Sequence, residues 1–166
     1  MFYNQHKISP ALYLEKMRFT GISHISSPEI GFLKSIAAKV GKAGVKLILS
    51  FLEPEALEPT TNQTYGKILD NLAAIKPFAS GILVPKTYVW PVNKDKYLLP
   101  STNLVMDAHK EGLEVYAYGF ANDSPGSFNY SYDPTSEYLQ FIDNGKFSID
   151  GVLTDFPITA SEAIGK

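Results

Sequence analysis

A chain of 166 residues with 45% hydrophobic content has the size and apolar content of one globular domain with a core. Its 15 basic and 17 acidic residues are mixed along the sequence and give a formal net charge of −2, so no basic patch suits nucleic acid or an anionic membrane. The absence of cysteine excludes disulfide bonds, thiolate catalysis and cysteine-bound metal.

Short apolar runs alternate with segments of helical period along the chain. Strands are predicted over residues 19–25, 45–51, 79–84, 113–118 and 151–154. Helices are predicted over 9–17, 27–41, 68–75, 101–112 and 133–145, with one more at the carboxyl end, from capping residues, prolines at helix starts and glycines at helix ends. This alternation is typical of βα units in a parallel sheet.

Two arrangements of five parallel strands remain open at this stage. One is an open, doubly wound sheet, which often has a Gly-rich phosphate-binding turn after its first strand, and no such turn occurs here. The other is a large part of an eight-unit barrel, which leaves three units unaccounted for.

The last predicted strand ends at a carboxylate. Gly151, Val152 and Leu153 are small or apolar, which predicts a strand covered on both faces, and Pro157 prevents further pairing just beyond it. Ligands bind at the carboxyl ends of parallel strands, so Asp155 is a candidate for chemistry. The alternative is a helix cap or a structural ion pair.

Other side chains are predicted near the same edge of the sheet. Lys86 follows the third strand, where it is either a ligand of a phosphate oxygen or a lysine in solvent, and Glu53 follows the second strand with a weaker claim. The long connection over 85–100 carries Tyr88, Trp90 and Tyr97, which either form a carbohydrate-stacking surface or cover the rim of the fold.

No two of the three histidines have the spacing of metal ligands. His6 is near the amino terminus, His24 is near the end of the first predicted strand, and His109 is in the last turn of a helix, where a cation suits the helix dipole. We therefore expect structural or exposed roles for all three, and we assign no catalytic residue and no metal ligand.

Three glycosylation sequons begin at Asn62, Asn122 and Asn129, in segments predicted as loops or helix starts. They favour a secreted parent protein. The first residues lack the basic and apolar regions of a signal peptide, and no apolar run approaches the roughly 20 residues of a membrane span, so we expect no export signal within this sequence.

Several long stretches of the chain resemble the plant glycerophosphodiester phosphodiesterase-like proteins, over nearly all of residues 1–166. They read ISSPEIGFLKSIAAK, SGILVPKTYVWPV, YLLPSTNLVMDAHKEGLEVYAYGFAND, NYSYDP and SEYLQFIDNGKFSIDGVLTDFP. The resemblance implies a (β/α)8 barrel of the phosphatidylinositol-phosphodiesterase type. It also implies hydrolysis of glycerophosphodiesters to glycerol 3-phosphate and an alcohol, with Ca²⁺ or Mg²⁺ as the metal.

The chain departs from the family in its catalytic motifs. The family's His-Arg-Gly motif, a Glu-x-Asp motif at a strand end and a following His do not occur here. We therefore expect residues 1–166 to be the C-terminal portion of one such domain, a partial TIM-type barrel of about strands 4 to 8 with their helices. We expect this portion to lack the metal ligands and to be inactive alone.

The substrate-binding candidates are Lys86, Tyr118 and Asp155. Lys86 is predicted from its position alone, whereas the resemblance suggests roles for Tyr118 and Asp155. Tyr118 stands where the family often has Trp in a WTxN-like strand end, and it would wall the glycerol pocket; Gly119 and Ala121 depart from the Thr and Asn of that pattern. Asp155 matches the family's TDxP ending and would orient groups on the first strand rather than bind metal.

The resemblance also implies a cellular context and a set of partners. Its plant subgroup is exported, glycosylated, often held at the cell surface by a lipid anchor, active in cell-wall organisation and built from two such domains. A partial barrel exposes two strand edges, so we expect either the missing N-terminal half-barrel or a second copy to cover them. The alternative function is a non-catalytic module that kept half the barrel and binds cell-wall polysaccharide.

Overall fold

The computed structural model describes residue 9 and residues 21–95, 97–122 and 133–165. Within these ranges five strands form one parallel sheet: β1 (His24–Ser27), β2 (Lys46–Ser50), β3 (Gly81–Pro85), β4 (Glu114–Phe120) and β5 (Gly151–Thr154). The helices there are α1 (Ile30–Val40), α2 (Tyr65–Leu69), α3 (Lys86–Val89), α4 (Leu104–Lys110), α5 (Pro134–Ile142) and α6 (Pro157–Ile164). None of these helices has both the length and the apolar content to cross a membrane.

The strand order decides between the two arrangements that the sequence allows. A doubly wound sheet reverses direction at a switch point, whereas here every strand lies beside its neighbour in the chain, in the order β1-β2-β3-β4-β5. Alternate residues of the central strands share one core with the helices, so the described helices cover one face; these strand residues are Leu47, Leu49, Ile82, Val84, Val115 and Ala117. The sheet is a curled half-barrel, which confirms the predicted partial TIM-type barrel.

The largest differences from the predicted bounds concern the first strand and the helix over 68–75. The first strand is predicted over 19–25, of which residues 19 and 20 lie outside the described residues. In the described part Gly21 adopts a φ of +76° in a turn and β1 begins at His24, which therefore lies at the amino end of the strand. The helix predicted over 68–75 is split into α2 and the 3-10 helix Leu72–Ala74, because Asn71 leaves the helical conformation. The helix predicted over 9–17 lies outside the described residues, apart from residue 9.

The expectation that β5 is covered on both faces is wrong. Among the residues that the structure describes, this strand pairs with β4 alone and forms one edge of the sheet, as β1 forms the other. Leu153 points away from the helix-covered face and is 59% exposed. In a half-barrel the inner face of an edge strand has no second wall opposite it, so the apolar sequence of β5 does not by itself produce burial.

The inner face of the sheet carries a polar layer at the amino ends of its strands. Lys46 of β2 forms an ion pair with Glu114 of β4, and the Tyr116 hydroxyl donates to Glu114 at 3.1 Å. The Nε2 atom of His24 lies 3.1 Å from the same hydroxyl. Gly81 of β3 packs beside this layer, where an added Cβ would lie 2.6 Å from the carbonyl oxygen of Glu114. The amino-terminal face of such barrels serves stability, so we assign this layer a structural role.

The loop between β2 and α2 caps helix α1 through a buried carboxylate. Glu58 is fully buried, and its Oε1 accepts from the backbone N–H of Ile30, the first residue of α1, at 2.9 Å. Its Oε2 accepts from the backbone N–H of Thr60 at 3.1 Å and of Thr61 at 2.7 Å. The hydroxyl of Thr60 also donates to Glu58 and accepts from the N–H of Gly31. The loop that follows β2 is thereby fixed to the start of α1.

Candidate functional site

A cavity of about 320 Å³ opens at the carboxyl ends of β4 and β5. Its lining residues come from the ends of these two strands and are Tyr118, Gly119, Phe120, Leu153, Thr154 and Asp155. Two of the predicted substrate-binding residues, Tyr118 and Asp155, therefore line one cavity although they are far apart in sequence. The carboxyl ends of parallel strands are where barrel enzymes bind their ligands.

Two tyrosine hydroxyls donate hydrogen bonds to backbone carbonyls just after β2. The Tyr118 hydroxyl donates to the carbonyl of Phe51 at 2.9 Å, and the Tyr88 hydroxyl donates to the carbonyl of Leu52 at 2.5 Å. Burial, reinforced by the negative charge of Glu53, raises the pKa of Tyr88 to about 12 and also raises the pKa of Tyr118. Both hydroxyls therefore stay protonated at neutral pH. The hydroxyl of Tyr118 is held by the carbonyl of Phe51, while Tyr118 also lines the cavity.

The glycine after Tyr118 has a conformational cause. The pairing of β4 with β5 shifts register between Tyr118 and Phe120, and Gly119 adopts a φ of +94° at that bulge. A side chain with a Cβ is strained in this region, so the Thr of the family pattern does not suit this backbone. The departure at Gly119 reflects a local bend of β4, which turns Phe120 towards the core.

Lys86 is buried and paired rather than solvated. It forms an ion pair with Glu137 of α5, and its ammonium group lies 5.6 Å from the centre of the Phe120 ring. Lys86 is 8% exposed and Glu137 is 1% exposed. Burial raises the pKa of Glu137, although the hydrogen bond and charge of Lys86 act in the opposite direction. The expectation of a lysine in solvent is wrong, and binding of phosphate by Lys86 stays a prediction.

Asp155 follows β5 as an exposed carboxylate at the edge of the cavity. Neither structural alternative for it is seen among the described residues. The N-cap of α6 is Phe156 and no side chain caps that helix, and the ion pairs between described residues do not include Asp155. Its neighbour Thr154 is fixed instead, because the Thr154 hydroxyl accepts from the N–H of Phe156 at 3.0 Å and lies 2.7 Å from the hydroxyl of Tyr138.

The remaining titratable candidates do not join this cavity. Glu53 is exposed at the end of β2. His24 lies at the opposite end of the strands, in the polar layer. His109, in the last turn of α4 as predicted, pairs at 2.9 Å with Asp150, which also accepts from the N–H of Val115 at 2.7 Å. His6 lies outside the described residues.

The three aromatic residues of the long connection do not form one stacking surface. The hydroxyl of Tyr88 is tied to the end of β2, and Trp90 packs against Phe147 with 6.2 Å between ring centres. Tyr97 is 72% exposed, in a short antiparallel contact between Val92 and Leu98. The arrangement resembles a packed cover of the rim more than an open carbohydrate platform.

The sequons differ in their surroundings. Asn62 is exposed in a loop with a φ of +56°. Asn122 is half-buried, and its Nδ2 donates to the Thr159 hydroxyl of α6 at 2.7 Å. Asn129 lies outside the described residues. Of the two described acceptors, Asn62 alone presents its side chain to solvent.

Several residues that organise this end of the fold are not singled out by sequence patterns. Glu58, Glu137, Tyr138 and Thr154 act through partners between 16 and 51 residues away, except for the local contacts of Glu58 with its own loop. Glu137 and Tyr138 carry one weak signal, since two large or charged residues follow the Asp-Pro start of α5 on its buried side. Nothing in the spacing indicates which strands they contact.

Comparison with curated proteins finds relatives that match almost the whole chain. Glycerophosphodiester phosphodiesterases GDPDL6 and GDPDL7 of Arabidopsis thaliana are each 66% identical over 163 residues, which are 98% of this chain. Glycerophosphodiester phosphodiesterase GDPDL3 of the same plant is 56% identical over 164 residues, again 98% of the chain. The chain spans 22% of the length of each of these relatives. No protein-family model matches the chain.

These matches take in all five strands and the cavity between β4 and β5, and they agree with the resemblance read from the sequence motifs. The half-barrel is the fold that this resemblance implies. The chain belongs to the plant glycerophosphodiester phosphodiesterase-like family.

Proposed function

We propose that this chain forms one wall of the active site of a glycerophosphodiester phosphodiesterase, which releases glycerol 3-phosphate and an alcohol. The main support is that Tyr118 and Asp155, selected separately by the family resemblance, line one cavity at the carboxyl ends of β4 and β5. Relatives that carry the name of this activity are 66% identical to the chain. The cavity is at the end of the strands where barrel enzymes act.

The chemistry of the cavity suits the glycerol end of such a substrate. The ring of Tyr118 and the exposed side chain of Leu153 offer apolar surface for the carbon chain. The carboxylate of Asp155 accepts hydrogen bonds from glycerol hydroxyls. A phosphodiester is an anion, so its charge is directed away from Asp155 and towards groups that this cavity does not supply.

The family resemblance implies a divalent cation that stabilises negative charge on the phosphoryl oxygens. Ca²⁺ and Mg²⁺ need several oxygen ligands around one point. Among the described residues, no three His, Asp or Glu side chains are grouped closely enough to hold a metal ion. These residues therefore do not fit the ion, and we assign neither metal binding nor proton transfer to them.

We propose that the free edges of the sheet pair with further parallel βα units, the N-terminal half-barrel of the parent domain. β1 and β5 leave their outer backbone groups without a neighbouring strand in the described residues. Beside β5, Ile158 and Ile164 of α6 are 75% and 64% exposed, as expected of a helix that lacks one neighbour. Pairing between two copies of the chain is the alternative, and sedimentation analysis of the purified chain distinguishes a monomer from a dimer.

An exchange of segments tests the enzymatic proposal. This chain replaces the matching 163 residues of GDPDL6, and release of glycerol 3-phosphate from glycerophosphocholine is measured with Ca²⁺ or Mg²⁺. We expect the chimera to keep the activity of its parent. Asp155→Ala in the chimera is expected to lower kcat/KM by roughly 10- to 100-fold, because a charged acceptor for a substrate hydroxyl is lost.

The control is Asp95→Ala, which removes an exposed carboxylate in the connection over 85–100. We expect no change in kcat/KM from it. A chimera that folds but gives no turnover when GDPDL6 itself is active contradicts the proposal, and so do equal effects of the two alanine substitutions. Turnover by the isolated chain contradicts the part of the proposal that assigns the reacting groups elsewhere.

We propose an extracellular or cell-surface location with glycosylation at Asn62. When the chain is expressed behind a signal peptide in plant cells, mass spectrometry of the folded protein should find a glycan on Asn62 and none on Asn122. The reason is that a glycan on Nδ2 of Asn122 breaks its hydrogen bond to Thr159 in a half-buried site, whereas Asn62 is exposed. Folded protein with a glycan at Asn122 and none at Asn62 contradicts this assignment.

A further inference from the structure

One turn of helix α5 contacts the carboxyl ends of three successive strands. Its residue Glu137 pairs with Lys86, which directly follows β3. The next residue, Tyr138, stacks on Phe120 of β4 with ring centres 4.7 Å apart and an interplanar angle of 19°. The hydroxyl of Tyr138 also lies 2.7 Å from that of Thr154 at the end of β5. Both Glu137 and Tyr138 are buried, at 1% and 0% exposure.

These contacts lie beside an interruption in the pairing of β4 with β5. The register of β4 and β5 shifts between Tyr118 and Phe120, so the regular ladder is interrupted beside the cavity. The two walls of the cavity are Tyr118 to Phe120 on one side and Leu153 to Asp155 on the other. The pairing resumes at Phe120 and Thr154, where the Thr154 hydroxyl donates to the carbonyl of Phe120 at 3.4 Å. Tyr138 contacts both residues of this pair, Phe120 through its ring and Thr154 through its hydroxyl, and so holds them together from the helix side.

The Thr154 hydroxyl links the position of Tyr138 to the backbone on both sides of Asp155. It contacts the hydroxyl of Tyr138 on one side and accepts from the N–H of Phe156 at 3.0 Å on the other. Asp155 lies between these two anchored residues. Its carboxylate has no ion pair with a described residue, so its backbone anchors fix its position.

We propose that Tyr138 and Glu137 are positioning residues, which hold the two walls of the glycerol pocket at the separation that substrate binding needs. Tyr138 acts through Thr154 and Phe120, and Glu137 acts through Lys86. We call these contacts, of Tyr138 with Thr154 and Phe120 and of Glu137 with Lys86, the brace. The inference deepens the proposed function and rests on it for the identity of the ligand, but the bracing itself does not depend on any ligand.

Tyr138→Phe tests the brace, because it removes one hydroxyl and keeps the stacked ring. Amide hydrogen exchange of Phe156 should become faster, and the nuclear Overhauser contacts between the Tyr118 ring and the Leu153 methyl groups should change. Glycerol 3-phosphate is the probe for the pocket in the chimera with GDPDL6, which supplies the rest of the barrel, and its binding is followed as competitive inhibition of glycerophosphocholine hydrolysis. Its Kd should rise by roughly tenfold when the walls lose their spacing.

Tyr65→Phe is the matched control. Tyr65 is also fully buried, and its hydroxyl donates to the carbonyl of Pro28 at 2.7 Å, outside the cavity. It should lower stability to a similar extent and leave both the exchange of Phe156 and the Kd unchanged. Because a purely structural role moves only stability, this comparison separates positioning from folding. In a Thr154→Val background, Tyr138→Phe should have no further effect on the Kd.

The outcomes are distinct. Unchanged Phe156 exchange and unchanged Tyr118 to Leu153 contacts in Tyr138→Phe overturn the brace. Equal effects of Tyr138→Phe and Tyr65→Phe at the cavity also overturn it. If Tyr138→Phe alters exchange and contacts in the chain while glycerol 3-phosphate gives no inhibition even in the active, unsubstituted chimera, the brace stands and the proposed pocket is wrong.

Discussion

Glu58→Ala is expected to lower the free energy of unfolding by about 3 kcal/mol, because one buried and two part-buried backbone N–H groups lose their acceptor together. These are the N–H groups of Ile30, Thr60 and Thr61. The first N–H of α1, that of Ile30, then has no side-chain acceptor, since the N-cap residue of the helix, Glu29, provides none. Urea unfolding followed by circular dichroism measures the loss, and Glu58→Gln should show a smaller one because the amide oxygen still accepts.

Glu55→Ala is the control, since Glu55 is an exposed carboxylate in the same loop. It should change stability by less than about 0.5 kcal/mol. If Glu58→Ala has as small an effect as Glu55→Ala, the buried carboxylate does not cap α1 in solution.

The loss caused by Glu58→Ala should also depend on pH. Burial on its own raises the pKa of Glu58, but hydrogen bonds from Thr61, Thr60 and Ile30 outweigh burial and hold the pKa below its ordinary value. The carboxylate therefore adds its full stability above the unfolded-state pKa of about 4.3. That contribution is lost as pH falls through the lower folded-state pKa. The difference between the parent chain and Glu58→Ala should be constant from pH 5 to 8 and shrink below pH 4.

Gly81→Ala is expected to cost about 3 kcal/mol through overpacking at the centre of the sheet. The added Cβ would lie 2.6 Å from the carbonyl oxygen and 3.0 Å from the Cβ of Glu114, and neither of these atoms belongs to a flexible side-chain end. Either β3 and β4 move apart or the layer of Lys46 and Glu114 rearranges. A lower midpoint of urea unfolding with an unchanged m value is the expected result.

Gly41→Ala serves as the control for the same chemical change. A Cβ at Gly41 meets nothing within 4 Å, and its φ of −57° is one that alanine readily adopts. We expect it to be neutral or slightly stabilising, because alanine has less conformational freedom than glycine in the unfolded chain. Equal midpoints for the two variants would mean that β3 and β4 have more room at this point than the structure gives them.

The helix starts illustrate how local patterns succeed and fail. Asp133-Pro134 predicts the start of α5, and the structure has Asp133 accepting from the N–H of Thr135 at 2.9 Å. Ser27-Pro28 predicts a start for α1 by the same pattern, yet the helix begins at Ile30 and is capped by Glu58. The first cap is made within three residues, so sequence spacing describes it. The second joins positions 28 residues apart, and only folding brings them together.

The candidate site, too, is predictable from the sequence only in part. The order of strands and helices, apart from the short helix α3 in the connection over 85–100, and the places of Tyr118 and Asp155 near the ends of two strands follow from the sequence and its family motifs. That both line one cavity depends on β4 and β5 being neighbours. Of the two alternatives for Lys86, the solvated lysine fails because its partner is Glu137, 51 residues later.

The sequence by itself determined the alternation of helix and strand, the parallel sheet, the family and two of the residues at the cavity, because each is encoded in local periodicity or in contiguous motifs. Tertiary structure alone decided that the sheet is wound in one direction with helices on one face, that Leu153 is exposed at an edge, and that Glu58 and Lys86 are buried. These features depend on contacts between residues distant in the chain. Such contacts cannot be read from the spacing along one strand or one helix.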